Sequence, residues 1–143
     1  MEISEKGKSL IKNFEGCRLK AYKCPAGVWT IGYGHTGSDV KAGMTITKEQ
    51  ADLFFNQDIK IHENNVSKLV KVPLTQNEFN ALVSFEYNIG YGNFSKSTML
   101  KLINKGFKTQ ACNEFEKWIY IKGKKSEGLL KRRISEKSYF IRT

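Results

Sequence analysis

The sequence is poor in cysteine and in long apolar segments, and each shortage excludes a class of protein. Its 143 residues include three cysteines, an odd number without the paired spacing of zinc ligands, so we expect neither a disulfide framework nor a metal site. No run of about 20 apolar residues occurs, so we expect no membrane-spanning helix. The opening residues MEISEKGKSLIKNFEG alternate charged and apolar side chains, and we therefore expect no signal peptide.

Acidic residues are scarce beside basic ones. The chain has 24 Lys and Arg against 14 Asp and Glu, and its formal net charge is +10. Such a charge attracts polyanions, and nucleic acid, anionic lipid and the bacterial cell wall all qualify. Between residues 117 and 142, nine basic side chains face only Glu127 and Glu136. This excess is typical of a solvated helix face and also of a polyanion-binding surface.

The apolar content is sufficient for one domain with a buried core. Hydrophobic residues make up 40% of the chain and aromatic residues 12%, which is enough to fold without covalent cross-links. Apolar residues at helical spacing predict a first helix that starts at a Ser4 cap and ends near Glu15 and Gly16. Aromatic and β-branched residues with turn formers predict a short β-hairpin within residues 19–33.

The rest of the chain is predicted to be helical. Capping boxes at Thr47 and Thr75 predict the starts of a long helix and of a second helix, and Gly90 and Gly92 are expected to end the second one. Shorter helices are predicted over residues 97–104, 109–119 and 128–141. A helix, one minor sheet and further helices in this order predict an α+β fold.

A glutamate, a cysteine and a threonine at two fixed gaps are the most informative residues. Glu15 closes the predicted first helix, Cys24 follows after eight residues, and Thr30 follows after five more. This register resembles that of the phage-type lysozymes, glycoside hydrolase family 24, in which a glutamate is followed by an aspartate or cysteine and then by a threonine. The resemblance spans most of the chain and includes four further segments: GHT at 34–36, SFEYNIG at 84–90, FSKST at 94–98 and GLLKRR at 128–133.

The resemblance implies a fold and an activity. The expected fold is a lysozyme-like α+β domain over residues 1–143, with a small sheet lobe at roughly 15–60, a larger helical lobe at 1–14 plus 61–143, and a cleft between them. The expected activity is that of an endolysin, a muramidase that hydrolyses the β-1,4 bond between N-acetylmuramic acid and N-acetylglucosamine in peptidoglycan. Such an enzyme lyses the bacterial cell wall and requires no cofactor.

Glu15, Cys24 and Thr30 are the catalytic residues that the resemblance implies. A carboxyl group at a helix end beside apolar residues can stay protonated, so Glu15 suits the general acid that protonates the departing glycosidic oxygen. The Thr30 hydroxyl both donates and accepts, as the positioning of a water requires. Without the shared register, a solvent-facing glutamate and a threonine with ordinary strand propensity would be the better interpretations.

Cys24 occupies the position where the family more often has aspartate. A free thiol has a pKa of about 8.5 and is mostly protonated at neutral pH unless the site lowers that value. The thiol could orient a water, or its thiolate could attack the sugar directly, so the sequence leaves an inverting or a retaining course open, although the family is inverting. A small buried residue without a chemical role is the alternative for Cys24.

Substrate contacts are expected at Thr36, Tyr87 and Ser97, again from the resemblance. A tyrosine ring can stack on sugars, but Tyr87 also fits the apolar stripe of its predicted helix, and core packing is the alternative for it. The resemblance gives His35 a mainly structural role. His35 and His62 have no cysteine or aspartate at ligand spacing, so no metal site is expected.

Partners and location are further expectations from the resemblance. Peptidoglycan is the expected substrate, and anionic wall polymers or lipopolysaccharide are candidate partners, whereas nucleic acid is not. The enzyme is expected to be a monomer that stays in the host bacterial cytoplasm until release and then acts on the wall in the periplasm. In some family members a disulfide silences a cysteine at the catalytic position, so Cys17 and Cys24 are candidates for such a pair; three independent reduced thiols are the alternative.

Two other functions compete with hydrolysis. A lytic transglycosylase shares the fold class and the glutamate acid but needs no positioned water. The presence of Cys24 and Thr30 at the spacing found in the phage-type lysozymes therefore disfavours it. A basic module that binds nucleic acid or membrane would explain the charge of +10, but it would leave the spacing of the three residues unexplained.

Overall fold

A first helix, a small antiparallel sheet and a series of helices follow one another along residues 1–142, the part of the chain that the computed structural model describes. In chain order the elements are α1 (Glu5–Glu15), β1 (Arg18–Lys23), β2 (Trp29–Gly32), β3 (His35–Thr36), α2 (Lys48–Leu69), α3 (Gln76–Ile89), α4 (Tyr91–Lys96), α5 (Thr98–Asn104), α6 (Lys108–Cys112), a 3-10 turn (Phe115–Lys117), β4 (Tyr120–Ile121), β5 (Lys124–Lys125) and α7 (Glu127–Phe140). This order confirms the predicted α+β fold. Among the same residues, no helix is both long and apolar enough to cross a membrane.

Local hydrogen bonds set the starts of α2 and α3. The Thr75 side chain accepts from the Glu78 N–H at 3.1 Å, while the Glu78 carboxylate accepts from the Thr75 N–H at 2.8 Å. Thr47 and Gln50 form the same reciprocal pair at 3.2 and 2.8 Å before α2. Both predicted capping boxes are therefore confirmed.

Between residues 90 and 125 the chain differs from the prediction in two places. Gly90 ends α3 as expected, but Gly92 lies inside α4, because Gly90 at φ 88° turns the chain so that a new helix starts at once. The helix predicted over 109–119 ends at Cys112, and the 3-10 turn and the β4–β5 hairpin follow it. The apolar residues that suggested a longer helix are instead buried around this irregular segment: Ala111, Cys112, Phe115 and Ile119.

The chain forms two compact units, which we call the sheet unit (residues 11–61) and the helical unit (residues 1–10 with the chain from 62 onward). In the sheet unit, β2 lies between β1 and β3, and both pairings are antiparallel. Ile31 of β2 and Ala51 and Phe55 of α2 are at most 1% exposed and form part of its core. This core fixes the strand that carries Thr30.

The core of the helical unit is aromatic and lies around Phe85 of α3. The Phe85 ring makes edge contacts with Phe94, Phe115 and Trp118 at centroid distances of 6.1, 5.2 and 5.9 Å. The Arg133 guanidinium of α7 lies 5.0 Å from the same ring centroid. Packing of α7 on α3 therefore depends on buried cations as well as on apolar surface, since Arg132 is also buried and donates to the Ser84 carbonyl at 3.0 Å.

A buried charge network holds α7 in place. Arg133 and Glu136 are both 0% exposed, and their side chains form an ion pair at 2.5 Å. Arg133 also donates to the Trp118 carbonyl at 2.9 Å and to the Asn88 side chain, while the Ser84 hydroxyl donates to Glu136 at 2.5 Å. Each buried charge is thus hydrogen-bonded on more than one side, as burial of an ion requires.

Candidate active site

Glu15 is the last residue of α1 and is half-buried. Gly16, at φ 68°, donates its N–H to the Lys12 carbonyl at 2.9 Å and ends the helix in a left-handed conformation that suits glycine. The chain then enters β1 at Arg18. The Glu15 carboxyl group thus lies where α1 ends and the chain turns toward β1.

Cys24 lies at the start of the tight turn between β1 and β2. Its N–H donates to the Val28 carbonyl at 3.0 Å, and its carbonyl accepts from the Gly27 N–H at 2.8 Å. The side chain is half-buried, and no disulfide engages it. These bonds place the thiol over the backbone N–H groups of the turn.

The turn lowers the pKa of the Cys24 thiol. A hydrogen bond from the Val28 N–H stabilises the thiolate most strongly, and it outweighs the opposing effect of burial. The Ala26 N–H and the Thr30 hydroxyl add to the effect. The thiol at this position is therefore ionised at a lower pH than an ordinary cysteine.

Thr30 lies in β2, the central strand, and is 3% exposed. Its hydroxyl lies 2.9 Å from the Val28 carbonyl as a donor and is also within hydrogen-bond reach of the Cys24 sulfur. Because the hydroxyl has a single hydrogen, it donates to Val28 when the thiol is protonated and can turn to the sulfur when the thiol ionises. Cys24 and Thr30 are thus coupled through one hydrogen.

The sheet register brings two further residues beside Thr30. Thr36 of β3 is its partner on one side and Tyr22 of β1 is its partner on the other. Thr36, predicted as a substrate contact, is exposed, so its hydroxyl is accessible to a ligand. Tyr22 was not predicted.

Tyr22 connects the acid and the thiol electrostatically. Burial raises the pKa of its phenol, and the negative charges of Glu15 and of ionised Cys24 raise it further, although Arg18 opposes them. The Arg18 guanidinium lies 4.7 Å from the Tyr22 ring centroid. Glu15, Tyr22, Cys24 and Thr30 therefore form one electrostatically connected group within the sheet unit, with a phenol that stays neutral and can donate a hydrogen bond.

Each ring nitrogen of His35 is hydrogen-bonded to a carboxylate. Its Nδ1 lies 2.7 Å from Asp58 and its Nε2 lies 3.1 Å from Asp39, and its ring stacks on Phe54 at 4.3 Å. Burial alone would lower the pKa of the imidazole, but the hydrogen bonds to Asp58 and Asp39 outweigh it, so the pKa is raised. The ring joins β3, the loop after it and α2.

The other two predicted substrate contacts lie in the helical unit. Tyr87 on α3 is half-buried, and its ring lies 4.6 Å from that of His62. Ser97 is 4% exposed, and its hydroxyl caps α5 by accepting from the Leu100 N–H at 3.1 Å while it donates to the Phe94 carbonyl at 2.8 Å. The sheet unit thus contains Glu15, Cys24, Thr30 and Thr36, whereas Tyr87 and Ser97 belong to the helical unit.

Cysteines and acidic residues do not assemble into a metal site within residues 1–142. No group of three His, Cys, Asp or Glu residues among them could hold a metal ion. The cysteines are free: Cys17 is exposed, Cys24 is intermediate and Cys112 is buried.

Comparison with known proteins gives consistent matches along the chain. The family model described as Phage lysozyme matches residues 12–136. The endolysin of Acyrthosiphon pisum secondary endosymbiont phage 1 is 49% identical over 98% of both chains. The endolysin of Bacillus phage B103 is 46% identical over 99% of this chain, which spans about half (54%) of that relative. The solved muramidase domain of SpmX from Asticaccaulis excentricus is similar with a TM-score of 0.91 at 42% identity, over 99% of both chains.

Proposed function

The chain belongs to the phage lysozyme family, and from this premise we propose how its own residues hydrolyse peptidoglycan. It is a glycoside hydrolase that lyses the bacterial cell wall. The bond that it cleaves is the β-1,4 linkage between N-acetylmuramic acid and N-acetylglucosamine. The cluster of Glu15, Tyr22, Cys24 and Thr30 within one unit is the observation that carries the proposal.

Glu15 is the general acid. Its protonated carboxyl group donates its hydrogen to the glycosidic oxygen as the bond to the anomeric carbon breaks. The half-buried position at the end of α1 suits this role, because proton transfer needs a donor positioned within reach of the leaving oxygen. After product release the carboxylate regains a proton from solvent, and Cys24 loses to solvent the proton that it took from the attacking water.

Cys24 and Thr30 act together on the water molecule that attacks the sugar. The thiolate, favoured by the N–H groups of its turn, accepts a proton from the water as the water oxygen attacks the anomeric carbon from the opposite face. The Thr30 hydroxyl, whose own hydrogen is directed to the ionised sulfur, holds the water by accepting a hydrogen bond from it. This sequence inverts the anomeric configuration, and no covalent sugar–sulfur bond forms.

Substrate recognition and location extend the proposal. Thr36, Tyr87 and Ser97 are substrate-binding residues, and the sugar chain passes the exposed Thr36 hydroxyl beside Thr30. The charge of +10 attracts the enzyme to anionic wall polymers or lipopolysaccharide. The monomeric enzyme stays in the cytoplasm of the host bacterium until release and acts from the periplasm.

Replacing Glu15 tests the proposal most directly. Glu15→Gln preserves the shape of the side chain but cannot donate the proton, so kcat on purified peptidoglycan should fall by about 10²–10⁴-fold. Glu5→Gln on the same helix is the matched control, because Glu5 is exposed and makes only a surface pair with Lys8 at 3.5 Å. Turnover by Glu15→Gln close to that of the parent would exclude the acid role.

Product analysis tests the type of reaction. Muropeptides with reducing ends indicate hydrolysis, whereas anhydro-muramic ends would indicate a transglycosylase and contradict the proposal. NMR of the first-formed product should show the inverted anomer. Retention there would mean that Cys24 attacks the sugar rather than the water.

A further inference from the structure

The β4–β5 hairpin is an exposed ribbon on the helical unit. Tyr120 pairs with Lys125 and Ile121 pairs with Lys124, so each face of the ribbon presents one apolar residue beside one lysine. Tyr120 is 59% exposed and Ile121 is 40% exposed, and both lysines are exposed. Folding leaves these four side chains exposed, each apolar residue beside a lysine.

The tip of the ribbon is a lysine in an unusual conformation. Lys122 has φ 49° and Gly123 has φ 79°, the pattern of a two-residue type I′ turn. Asn or Gly usually occupies the first of these positions, because a side chain with a Cβ is disfavoured at positive φ. Lys122 is the one non-glycine residue among residues 1–142 with positive φ. The turn thus projects a third cation at some conformational cost.

The hairpin lysines carry uncompensated charge. Lys117, before the hairpin, forms an ion pair with Glu114 at 2.7 Å, and Lys137, in α7, forms one with Glu116 at 3.0 Å. Lys122, Lys124 and Lys125 form no ion pair within the described part of the chain. The positive charge of the ribbon is therefore available to a partner.

The base of the hairpin is held firmly. The Ser126 N–H donates to the Ile119 carbonyl at 2.7 Å, and Ile119 itself is 7% exposed. The preceding Trp118 carbonyl accepts from buried Arg133 at 2.9 Å. The exposed tip therefore extends from a fixed base and loses little freedom on binding.

We propose that the β4–β5 hairpin docks the protein on an anionic phospholipid surface. The lysines bind the phosphate layer, while the apolar residue on the face that meets the lipid, Tyr120 beside Lys125 or Ile121 beside Lys124, enters the interface next to it. A wall polymer or a nucleic acid would satisfy the lysines but would gain nothing from exposed Ile121, because neither has an apolar layer beneath its charge. The pairing of apolar and basic residues across the ribbon therefore favours a lipid surface.

Vesicle binding tests the lysines. Each lysine near an anionic surface is expected to raise binding about fivefold, so Lys122→Asn with Lys124→Gln and Lys125→Gln should lower binding to phosphatidylglycerol-containing vesicles about 100-fold at physiological salt. The matched control combines Lys60→Gln, Lys101→Gln and Lys105→Gln, three exposed lysines outside any ion pair in residues 1–142. Both triple variants lower the net charge from +10 to +7 (10 − 3 = 7). The control should bind within about threefold of the parent, because none of its three lysines belongs to the hairpin.

Substituting the apolar residues distinguishes binding to lipid from binding to other polyanions. Tyr120→Ser with Ile121→Ser should weaken vesicle binding at least about fivefold and leave binding to soluble polyphosphate unchanged. Vesicles of phosphatidylcholine alone should not bind the parent. Lysis of purified peptidoglycan should be unaffected in every variant, and no variant should unfold at a lower temperature, since the substituted side chains are exposed and Asn suits the positive φ of residue 122.

Several outcomes would overturn the proposal. A control triple variant that loses as much vesicle binding as the hairpin variant would show that net charge alone is responsible. Serine variants that bind vesicles like the parent would exclude the interface. Hairpin variants that bind vesicles normally but lose binding to purified peptidoglycan would assign the ribbon to the substrate instead.

Discussion

Tyr22 of β1 and Thr30 of β2 are direct partners across the sheet. The same phenol interacts electrostatically with Glu15 and with Cys24, and these influences, together with burial, keep it protonated. One neutral donor therefore lies among three side chains to which we assign catalytic roles. This arrangement makes Tyr22 a positioning residue rather than part of the apolar surface of the sheet.

Tyr22→Phe should lower kcat and leave KM nearly unchanged. Loss of one hydrogen-bonding group corresponds to about 1 kcal/mol, or roughly a fivefold decrease in rate. Steady-state kinetics on purified peptidoglycan would measure kcat and KM of this variant. Tyr91→Phe is the control, because Tyr91 is exposed. A Tyr22→Phe enzyme with the kcat and pH profile of the parent would leave Tyr22 only a packing role.

Cys24→Asp should keep or improve activity, whereas Cys24→Ala should lose most of it, by about 10²-fold or more. Because the turn lowers the pKa of the thiol, activity of the parent should rise with pH at values below the usual thiol pKa of about 8.5. The aspartate variant should lack that rise. Rate–pH profiles of the three proteins would measure both effects, and an alanine variant as active as the parent would mean that Cys24 has no chemical role.

Oxidation should silence the enzyme if Cys17 and Cys24 can pair. Both thiols are free, and Cys17 is exposed to an oxidant. We predict that an oxidised sample loses lytic activity, that dithiothreitol restores it, and that Cys17→Ser is resistant to this loss. Equal lysis rates of oxidised and reduced parent would disprove the pairing.

His35→Gln should destabilise the protein most at acidic pH. Hydrogen bonds with Asp58 and Asp39 raise the folded-state pKa of His35 above 6.5 despite burial, so protonation favours the folded state. This contribution is fully present below pH 6.5 and is lost as pH rises through the raised value. Urea unfolding between about pH 5 and 9 should show the two proteins converging as the pH rises. A constant difference would show that the charge of the ring contributes nothing.

Glu136→Gln should cost about 3–5 kcal/mol in the free energy of unfolding, because it removes the buried carboxylate charge that pairs with both Arg132 and Arg133. Glu116→Gln breaks only the more exposed pair with Lys137 and should cost no more than about 1 kcal/mol. Chemical denaturation compares the two. A similar small loss in both would mean that the buried pair is not needed for stability.

Much of the fold could be predicted because the responsible signals are local. The capping boxes at Thr47 and Thr75 involve residues three apart, and both are present as predicted. The β4–β5 hairpin was missed because its strands have two residues each, too few for a periodic pattern. Its turn signal was also weak, since Lys122 stands where Asn is the usual residue before Gly123.

The candidate site was only partly predictable for a related reason. The resemblance to the phage-type lysozymes pointed to Glu15, Cys24 and Thr30 as candidates, whereas the place of Tyr22 beside them depends on the pairing of β1 with β2. That register shifts between Arg18 and Tyr22, and such an irregularity has no reliable signature in sequence. The lowered pKa of Cys24 likewise depends on where the Val28 N–H points, which only the folded turn determines.

The Arg133 network also affects the order in which the protein can fold during translation. Residues 11–61 emerge from the ribosome early and include the whole three-stranded sheet. The helical unit lacks its central cation until α7 emerges, and until then Phe85 and Asn88 have no guanidinium to contact. A nascent chain therefore exposes an unfinished aromatic core to chaperones and proteases from the emergence of Phe85 until that of α7.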